Sequence, residues 1–514
     1  MNGAESLVRT LLAGSVDVCF TNPGTSEMHF VAALDQVPGM RCVLALFEGV
    51  ATGAADGYFR MARRPASTLL HLGPGLANGV SNLHNAKKAG SGIVNIVGEH
   101  AIDHIALDAP LTADIEGIAW PVSHWVKTSR DASGVGADGA EAIAAAMTSP
   151  GQIASLILPG DTAWNEGGVV AEPLPLPPRA PVDPEAVAEA EKHLGGPDSL
   201  LLLGGEALTE DNLRIAGQIA AKTGCGLLTE WSNARIERGA GRVSVARIPY
   251  PVDQALEILA PYRRIVLVGA SKPVAFFAYP DKPGVLTAEG AEFRELAGVG
   301  EDIAGALAGL RDSLGATTLA PAGIAEASTP EITDGPVTPD SIASVLGACI
   351  PENAIVVDES ITTGRAFFAQ TKGAPPHSWL NNKGGSIGYG LPVAVGAAIA
   401  CPDCKVLALE GDGSAMYTVQ ALWTMAREEL DITILIFANR SYQILHGELR
   451  NVGVMNPGPR AIDMLTLTRP DLGWVEMARA MGLEGCRVDS TADLARALGV
   501  GLATPAPYLI EVAM

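Results

Sequence analysis

Residues 405–439, "KVLALEGDGSAMYTVQALWTMAREELDITILIFAN", hold two apolar runs either side of a helical pattern. The runs "KVLALE" and "DITILIFA" read as strands, and "YTVQALWTMAREEL" as the amphipathic helix between them. A right-handed crossover of that length lays the strands parallel with their carboxyl ends on one edge. Open α/β sheets take their ligands at that edge. Asp412 and Asn439, twenty-seven positions apart, therefore reach the same place. An acid and an amide, with a nearby main-chain carbonyl, supply oxygen ligands for Mg²⁺ and leave room for phosphate oxygens. Small residues around Asp412 permit close approach of a ligand, and the backbone N–H groups after Gly413 face the same anion. An ordinary βαβ unit with a glycine turn is the plainer alternative, weakened by the amide at the second strand's end.

The same alternation of short apolar strands with small-residue helices extends in both directions. Two proline-rich stretches, "AEPLPLPPRAPVDPEA" (171–186) and "TTLAPAGIAEASTPEITDGPVTPD" (317–340), divide the chain into three segments. The expected fold is α/β, with three doubly wound parallel-sheet domains at 1–172, 184–316 and 338–514. At 514 residues, 48% hydrophobic and 18% charged, the chain is globular. A net charge of −22 argues against nucleic acid or an anionic membrane as partner. No apolar stretch is long enough to span a bilayer. The N-terminus lacks signal-peptide order, and seven cysteines form no even framework. A cytoplasmic location is expected. "CPDC" (401–404), without a second pair, reads as a turn.

Four further stretches carry candidate site residues. "CVLALFEGVATGAADGYFRMARRP" (42–65) ends an apolar run at Glu48 before a small-residue helix. Glu48 is either a helix cap or a cleft acid with a chemical role. "TNPGTSEMHF" (21–30) contains Thr25. "LHLGPGLANGVSNLHNA" (70–86) carries His71 directly before a glycine turn, where a proton shuttle and a satisfied core histidine are equally open readings. "NNKGGSIGYGLPVAVGAAIA" (381–400) presents Gly385, Ser386 and Ile387 before an apolar helix. His29 reads as structural.

"GDGS" with Asn439 resembles the thiamine-diphosphate motif of the pyruvate-oxidase and acetolactate-synthase superfamily. The other stretches resemble that superfamily in the same order, with benzoylformate decarboxylase as a further match around Thr25 and His71. Family chains have two adjacent asparagines where this one has Ala438 and Asn439. The resemblance implies Mg²⁺ held by Asp412, Asn439 and the Ser441 carbonyl, with Gly411, Gly413, Ser414, Ser441 and Tyr442 around the diphosphate. It implies pyrimidine contacts from the Gly385 and Ser386 backbones, with Ile387 as the apolar wedge that bends the cofactor and Glu359 orienting the site. Glu48 becomes the acid that protonates the far nitrogen of the aminopyrimidine, with Thr25 and His71 beside the substrate.

The function so implied is a thiamine-diphosphate- and Mg²⁺-dependent lyase or transferase on 2-oxo acids. Acetolactate-synthase-like carboligation or decarboxylation of pyruvate or a related acid is the main reading. Simple benzoylformate-decarboxylase-like decarboxylation is the alternative, and a non-catalytic cofactor-binding paralogue the rival from another class. The acceptor would be an aldehyde or a second 2-oxo acid. The resemblance also implies a homodimer or homotetramer with active sites at subunit interfaces. Two departures fall in the middle segment. "SKPVAFFAYPDKPG" (271–284) offers Phe276 and Phe277 where benzoylformate decarboxylase has a second histidine, and the Gly-Met-His-Gly stretch of flavin-binding relatives is missing, so no FAD is expected.

Overall fold

The computed structural model describes residues 1–514 and contains three sheets. Six parallel strands form the first, with Arg41–Leu44, Val18–Asn22, Ala66–Leu70, Ile93–Glu99, Ile153–Pro159 and Trp125–Thr128 in spatial order. The central sheet is also parallel, in the order Ala246–Arg247, Gly226–Thr229, Ser199–Leu203, Arg264–Val268 and Glu292–Ala297. The last runs Glu484–Val488, Tyr508–Ala513, Ile432–Ala438, Val406–Gly411, Ile355–Glu359, His377–Asn381 and Ile236–Arg238. Strands such as Ile93–Glu99 and Ile432–Ala438 are buried along their whole length, the consequence of helices covering both faces of a parallel sheet.

One departure from the all-parallel expectation is local. Ile236–Arg238 belongs by sequence to the central segment, yet it pairs antiparallel with the edge of the last sheet, Ile236 opposite Trp379 and Arg238 opposite His377. Arg238 is 4% exposed, its guanidinium stacked 3.9 Å from the Phe368 ring centroid.

The first and last segments share a core. Helices Glu48–Ala62 and Gly390–Ala400 cross with their backbones nearly touching: a methyl on Gly57 would lie 2.2 Å from the Val393 carbonyl oxygen, and one on Gly396 1.8 Å from that of Ala54. Val50, Ala54, Val393 and Ala397 belong to one continuous apolar cluster. Arg60, 2% exposed and paired with Asp56 at 2.7 Å, donates to Asn381 O, the Tyr389 hydroxyl and Ala234 O. One guanidinium thus ties all three segments, its charge offset by the adjacent carboxylate. No helix is long and apolar enough to cross a membrane.

In the last sheet the chain leaves Ile355–Glu359 for its neighbour on one side, His377–Asn381, then returns to Val406–Gly411 on the other. That reversal opens a crevice at the carboxyl edge. Glu359, Gly411 and Asp412 stand there.

Candidate active site

Asp412 begins a four-residue helix, Asp412–Ala415, directly after the strand Val406–Gly411. It is 3% exposed. Its carboxylate accepts the Gly413 N–H at 2.9 Å and the Arg440 N–H at 2.6 Å, which places it against the Asn439–Ser441 turn. Burial lifts its carboxyl to about 6, against the pull of those N–H groups; no Lys or Arg side chain pairs with it, since Arg440 turns to Asp471. A buried carboxylate with no ion-pair partner, moderated by the charge of Arg440, stands beside Asn439 Oδ1, which accepts the Ser441 N–H at 3.0 Å; with a main-chain carbonyl of that turn they make a donor set suited to a hard divalent cation. The cradle for the anion also fits. A methyl on Gly413 would lie 2.5 Å from the Tyr442 ring, so only glycine allows that approach. The Ser441 hydroxyl donates to Leu465 O at 3.1 Å, and His446 Nε2 lies 3.1 Å from Ser441 Oγ.

The expected helix from Tyr417 onward is broken. A 3₁₀ turn, Met416–Thr418, precedes the helix Ala421–Arg427. The turn faces the loop that bears Ile387: Thr418 Oγ1 donates to Gly388 O at 3.0 Å, and a methyl on Gly388 would lie 2.6 Å from Tyr417 Cβ. The diphosphate-side and pyrimidine-side candidates are therefore adjacent. Gly385 and Gly388 have φ of +81° and +88°, a conformation that favours glycine. Asn382 shapes the loop from within, its Oδ1 accepting from Gly384 N and Gly385 N at 3.1 and 2.8 Å and its Nδ2 donating to Ser386 O at 2.6 Å.

Beneath the loop lie three buried acids. Glu359 accepts the Gly390 N–H at 2.9 Å, and burial pushes its carboxyl up to about 7. Burial, then the charge of Glu359, holds Glu410 well above the ordinary carboxylate range, and neither Glu410 oxygen has a hydrogen-bond partner. Asp358 is satisfied by Ser360, Trp379 and Asn381. A carboxyl whose folded value is raised stabilises fully below its unfolded value near 4.5 and loses that contribution as pH rises through about 7. The melting temperature of the cofactor-free protein should therefore fall over that window, and Glu359→Gln should flatten the fall. Parallel melting curves for the two proteins between those values would show Glu359 ionising freely.

Glu48 is the first residue of the helix Glu48–Ala62. The preceding strand stops at Leu44, where its register with Val18–Asn22 ends, so Glu48 opens a helix and does not close a strand. It is 8% exposed, and its Oε2 accepts from Asn78 Nδ2 at 3.0 Å. A methyl on Gly75 would lie 3.2 Å from Glu48 Oε1 and 3.3 Å from His71 Cβ, which brings Glu48 and His71 to the same edge of the first sheet. Thr25 is exposed beside Gly24, whose missing side chain admits the His71 ring; a methyl there would meet it at 2.2 Å.

Two sets of residues escaped the sequence reading. Glu27, 3% exposed, receives His71 Nδ1 at 2.8 Å, together with Gly24 N and Ser26 Oγ. A carboxylate only accepts, so Nδ1 carries the hydrogen and Nε2 is left to exchange a proton. Asn78, Asn82 and Asn85 line one face of the helix Leu72–Ala89, and their four- and three-residue spacing is a helical-face signal present in the sequence. Phe276 of the central segment packs on Gly385, where a methyl would meet its ring at 2.6 Å, and stands edge-on to Trp231 at 5.1 Å. His29 packs its ring against Trp164 at 5.5 Å.

Comparisons with known proteins agree along the chain. Residues 1–118 match the thiamine pyrophosphate enzyme N-terminal TPP binding domain, and residues 362–512 the C-terminal TPP binding domain. A Mycobacterium tuberculosis protein provisionally named acetolactate synthase large subunit IlvX is 50% identical over 100% of this chain and 99% of its own length. Benzoylformate decarboxylase of Pseudomonas aeruginosa is 29% identical over 96% of this chain and 95% of its own. In fold, the chain superimposes on a thiamine diphosphate-dependent 4-hydroxybenzoylformate decarboxylase of Rhodococcus jostii RHA1 with a TM-score of 0.84, 24% identity, and coverage of 100% and 99%.

Proposed function

Since the chain belongs to the thiamine pyrophosphate enzyme family, we propose that it is a thiamine-diphosphate- and Mg²⁺-dependent enzyme of acetolactate-synthase-like carboligation or decarboxylation, acting on pyruvate or a related 2-oxo acid. The observation that carries this is the buried, uncompensated Asp412 carboxylate facing the Asn439–Ser441 turn, with the Gly385–Gly388 loop and the Glu48 helix alongside. Asp412, Asn439 and the Ser441 carbonyl would hold Mg²⁺. Gly411, Gly413, Ser414, Ser441 and Tyr442 would surround the diphosphate, and Gly385, Ser386 and Ile387 the pyrimidine. Bound thiamine diphosphate supplies a nucleophilic carbon and the electron sink for loss of CO₂.

The chain's own residues do the remainder. Glu48 holds a proton for the far nitrogen of the pyrimidine, in a site where Asn78 fixes its carboxyl. His71, oriented by Glu27, presents Nε2 for proton exchange with substrate, near Thr25. The half-buried Ile387 supplies an apolar side chain on the loop, and the Phe276 ring packs on Gly385. The working unit is a homodimer or homotetramer, with active sites at subunit interfaces. A second reading, simple decarboxylation in the manner of benzoylformate decarboxylase, is favoured by the Glu27–His71 pair, which gives the site a proton donor for the product.

A panel of 2-oxo acids, with and without an acceptor aldehyde and with the products identified, tests both readings. Coupled products support the first and free aldehyde the second. Failure of every acid to lose CO₂ in the presence of thiamine diphosphate and Mg²⁺ would sink both.

A further inference from the structure

We propose that Glu448 is a specificity-determining residue at the far end of the substrate's side chain. There it accepts a hydrogen bond from a donor on that side chain and turns away a second carboxylate. Phe276 and its ring neighbours form the wall along which the side chain lies, so the preferred class is an aryl 2-oxo acid with a hydroxyl on its ring. The inference rests on the thiamine-diphosphate reading and names, within it, the side chain of the acid.

The two ends of the cofactor cradle, the Asn439–Ser441 turn and the Gly385–Gly388 loop, are bridged on one side by the central segment. At the loop, the Phe276 ring lies against Gly385 and leaves no room for a methyl. Phe276 packs in turn on Trp231 and on Tyr250, with ring centroids 5.1 and 5.7 Å apart. At the turn, the helix Gln443–Asn451 begins directly after Tyr442. Glu448, on that helix, accepts from the Tyr250 hydroxyl at 3.3 Å. One aromatic wall therefore runs from the pyrimidine end to the metal end, and a substrate that meets the cofactor between them lies along it. All of these groups belong to the chain that holds Asp412 and Ile387. They serve one cofactor whichever copy supplies Glu48.

The wall is open and apolar. Phe276 and Phe277 are 39% and 53% exposed, and Leu445 on the helix 41%. Rings in this position gain most from another ring, edge-on or offset; a methyl group covers little of them. Glu448 is half-buried, and its partners are the Tyr250 hydroxyl, the Asn451 amide at 3.4 Å and the Tyr279 phenol. None of the three is a cation. A carboxylate has about four acceptor positions, so capacity is left for a donor on the ligand. The other charges along the wall are already engaged: Glu230 pairs with Lys383, and Lys272 lies 4.9 Å over the Phe293 ring. A carboxylate without a cation strengthens a hydrogen bond from a ligand hydroxyl and repels a ligand carboxylate.

The test measures kcat/KM of the full-length holoenzyme for pyruvate and for three phenylglyoxylates: unsubstituted, 4-hydroxy and 4-carboxy. The wild type should prefer the aryl acids to pyruvate, and the 4-hydroxy acid to the 4-carboxy acid by about 100-fold. Glu448→Gln keeps an acceptor and loses the charge, so it should cut that second ratio by about 10-fold or more. Phe276→Ala should cut the aryl-to-pyruvate ratio by about 10-fold. Ratios within one protein are unaffected by a general loss of active molecules. A readout without turnover is calorimetric titration with 4-hydroxymandelate and with lactate, which lack the ketone; the first should bind about 10-fold more tightly or better.

Preference for pyruvate over all three aryl acids overturns the proposal. So does a 4-hydroxy to 4-carboxy ratio that Glu448→Gln leaves in place. If Phe276→Ala loosens the oligomer in ultracentrifugation and leaves the aryl-to-pyruvate ratio alone, the wall is a contact between copies and the proposal falls. Protein that binds no thiamine diphosphate refutes the cofactor reading instead. The titration then decides the pocket by itself, and 4-hydroxymandelate binding no tighter than lactate overturns it.

Discussion

Glu48→Gln should slow C2 proton–deuterium exchange of bound thiamine diphosphate by about 10²–10⁴-fold, the range of a positioned acid–base group. The substitution is close to isosteric. Its amide oxygen can still accept from Asn78 Nδ2, which holds the native carboxyl at 3.0 Å, and the helix Glu48–Ala62 keeps its small-residue contact with Gly390–Ala400. Cofactor and Mg²⁺ should therefore remain bound. What disappears is the acidic proton, since an amide cannot deliver one to the pyrimidine nitrogen. The same loss should appear in turnover of whichever 2-oxo acid the enzyme uses. Exchange at the wild-type rate in the Gln variant would make Glu48 a helix cap and nothing more.

Asp412→Ala should abolish Mg²⁺-dependent retention of thiamine diphosphate, so that binding in Mg²⁺ drops to the level the wild type shows in EDTA. The carboxylate is buried, lifted to about 6 and unpaired by any cationic side chain; a divalent cation is what would reverse that penalty. Undiminished binding in the variant, or in wild type with EDTA, would remove the metal role. Combined with Glu48→Gln, the variant also tests where the sites lie. Co-expressed in equal amounts, two inactive chains that share sites across an interface form one intact site in each mixed dimer, restoring about a quarter of wild-type turnover. No restoration would mean that each chain completes its own site.

The β–α–β stretch at 405–439 was legible because its strands are uninterrupted apolar runs, and such runs end up buried on both faces. From that alone the carboxyl edge, and with it the neighbourhood of Asp412 and Asn439, could be placed. The helix between the strands was read as one piece. It breaks because Tyr417 and Thr418 turn toward Gly388, a loop nearly thirty residues earlier, and no local pattern announces that contact. Ala45, Leu46 and Phe47 prolong the apolar run as far as Glu48, whereas strand length is set by the partner, whose pairing stops at Leu44. Nothing local marks Glu27, because its importance comes from the ring of His71 forty-four positions away. The asparagines at 78, 82 and 85 announce a shared face, but their partners, Glu48 for Asn78 and the Gly385–Gly388 loop for Asn82 and Asn85, belong to tertiary structure alone.

The strand Ile236–Arg238 reaches the ribosome exit well before the edge it completes. Its partner, His377–Asn381, is synthesised about 140 residues later, so the order of synthesis leaves this short strand waiting for the last sheet. Excision has the opposite effect: a fragment beginning near residue 338 would carry Trp379 and its neighbours as a bare sheet edge, open to pairing with another copy. The central segment in this way covers an edge of the sheet that follows it in the chain. Attempts to produce that domain alone should carry the 236–238 strand with them, or expect material that associates through the edge it leaves behind.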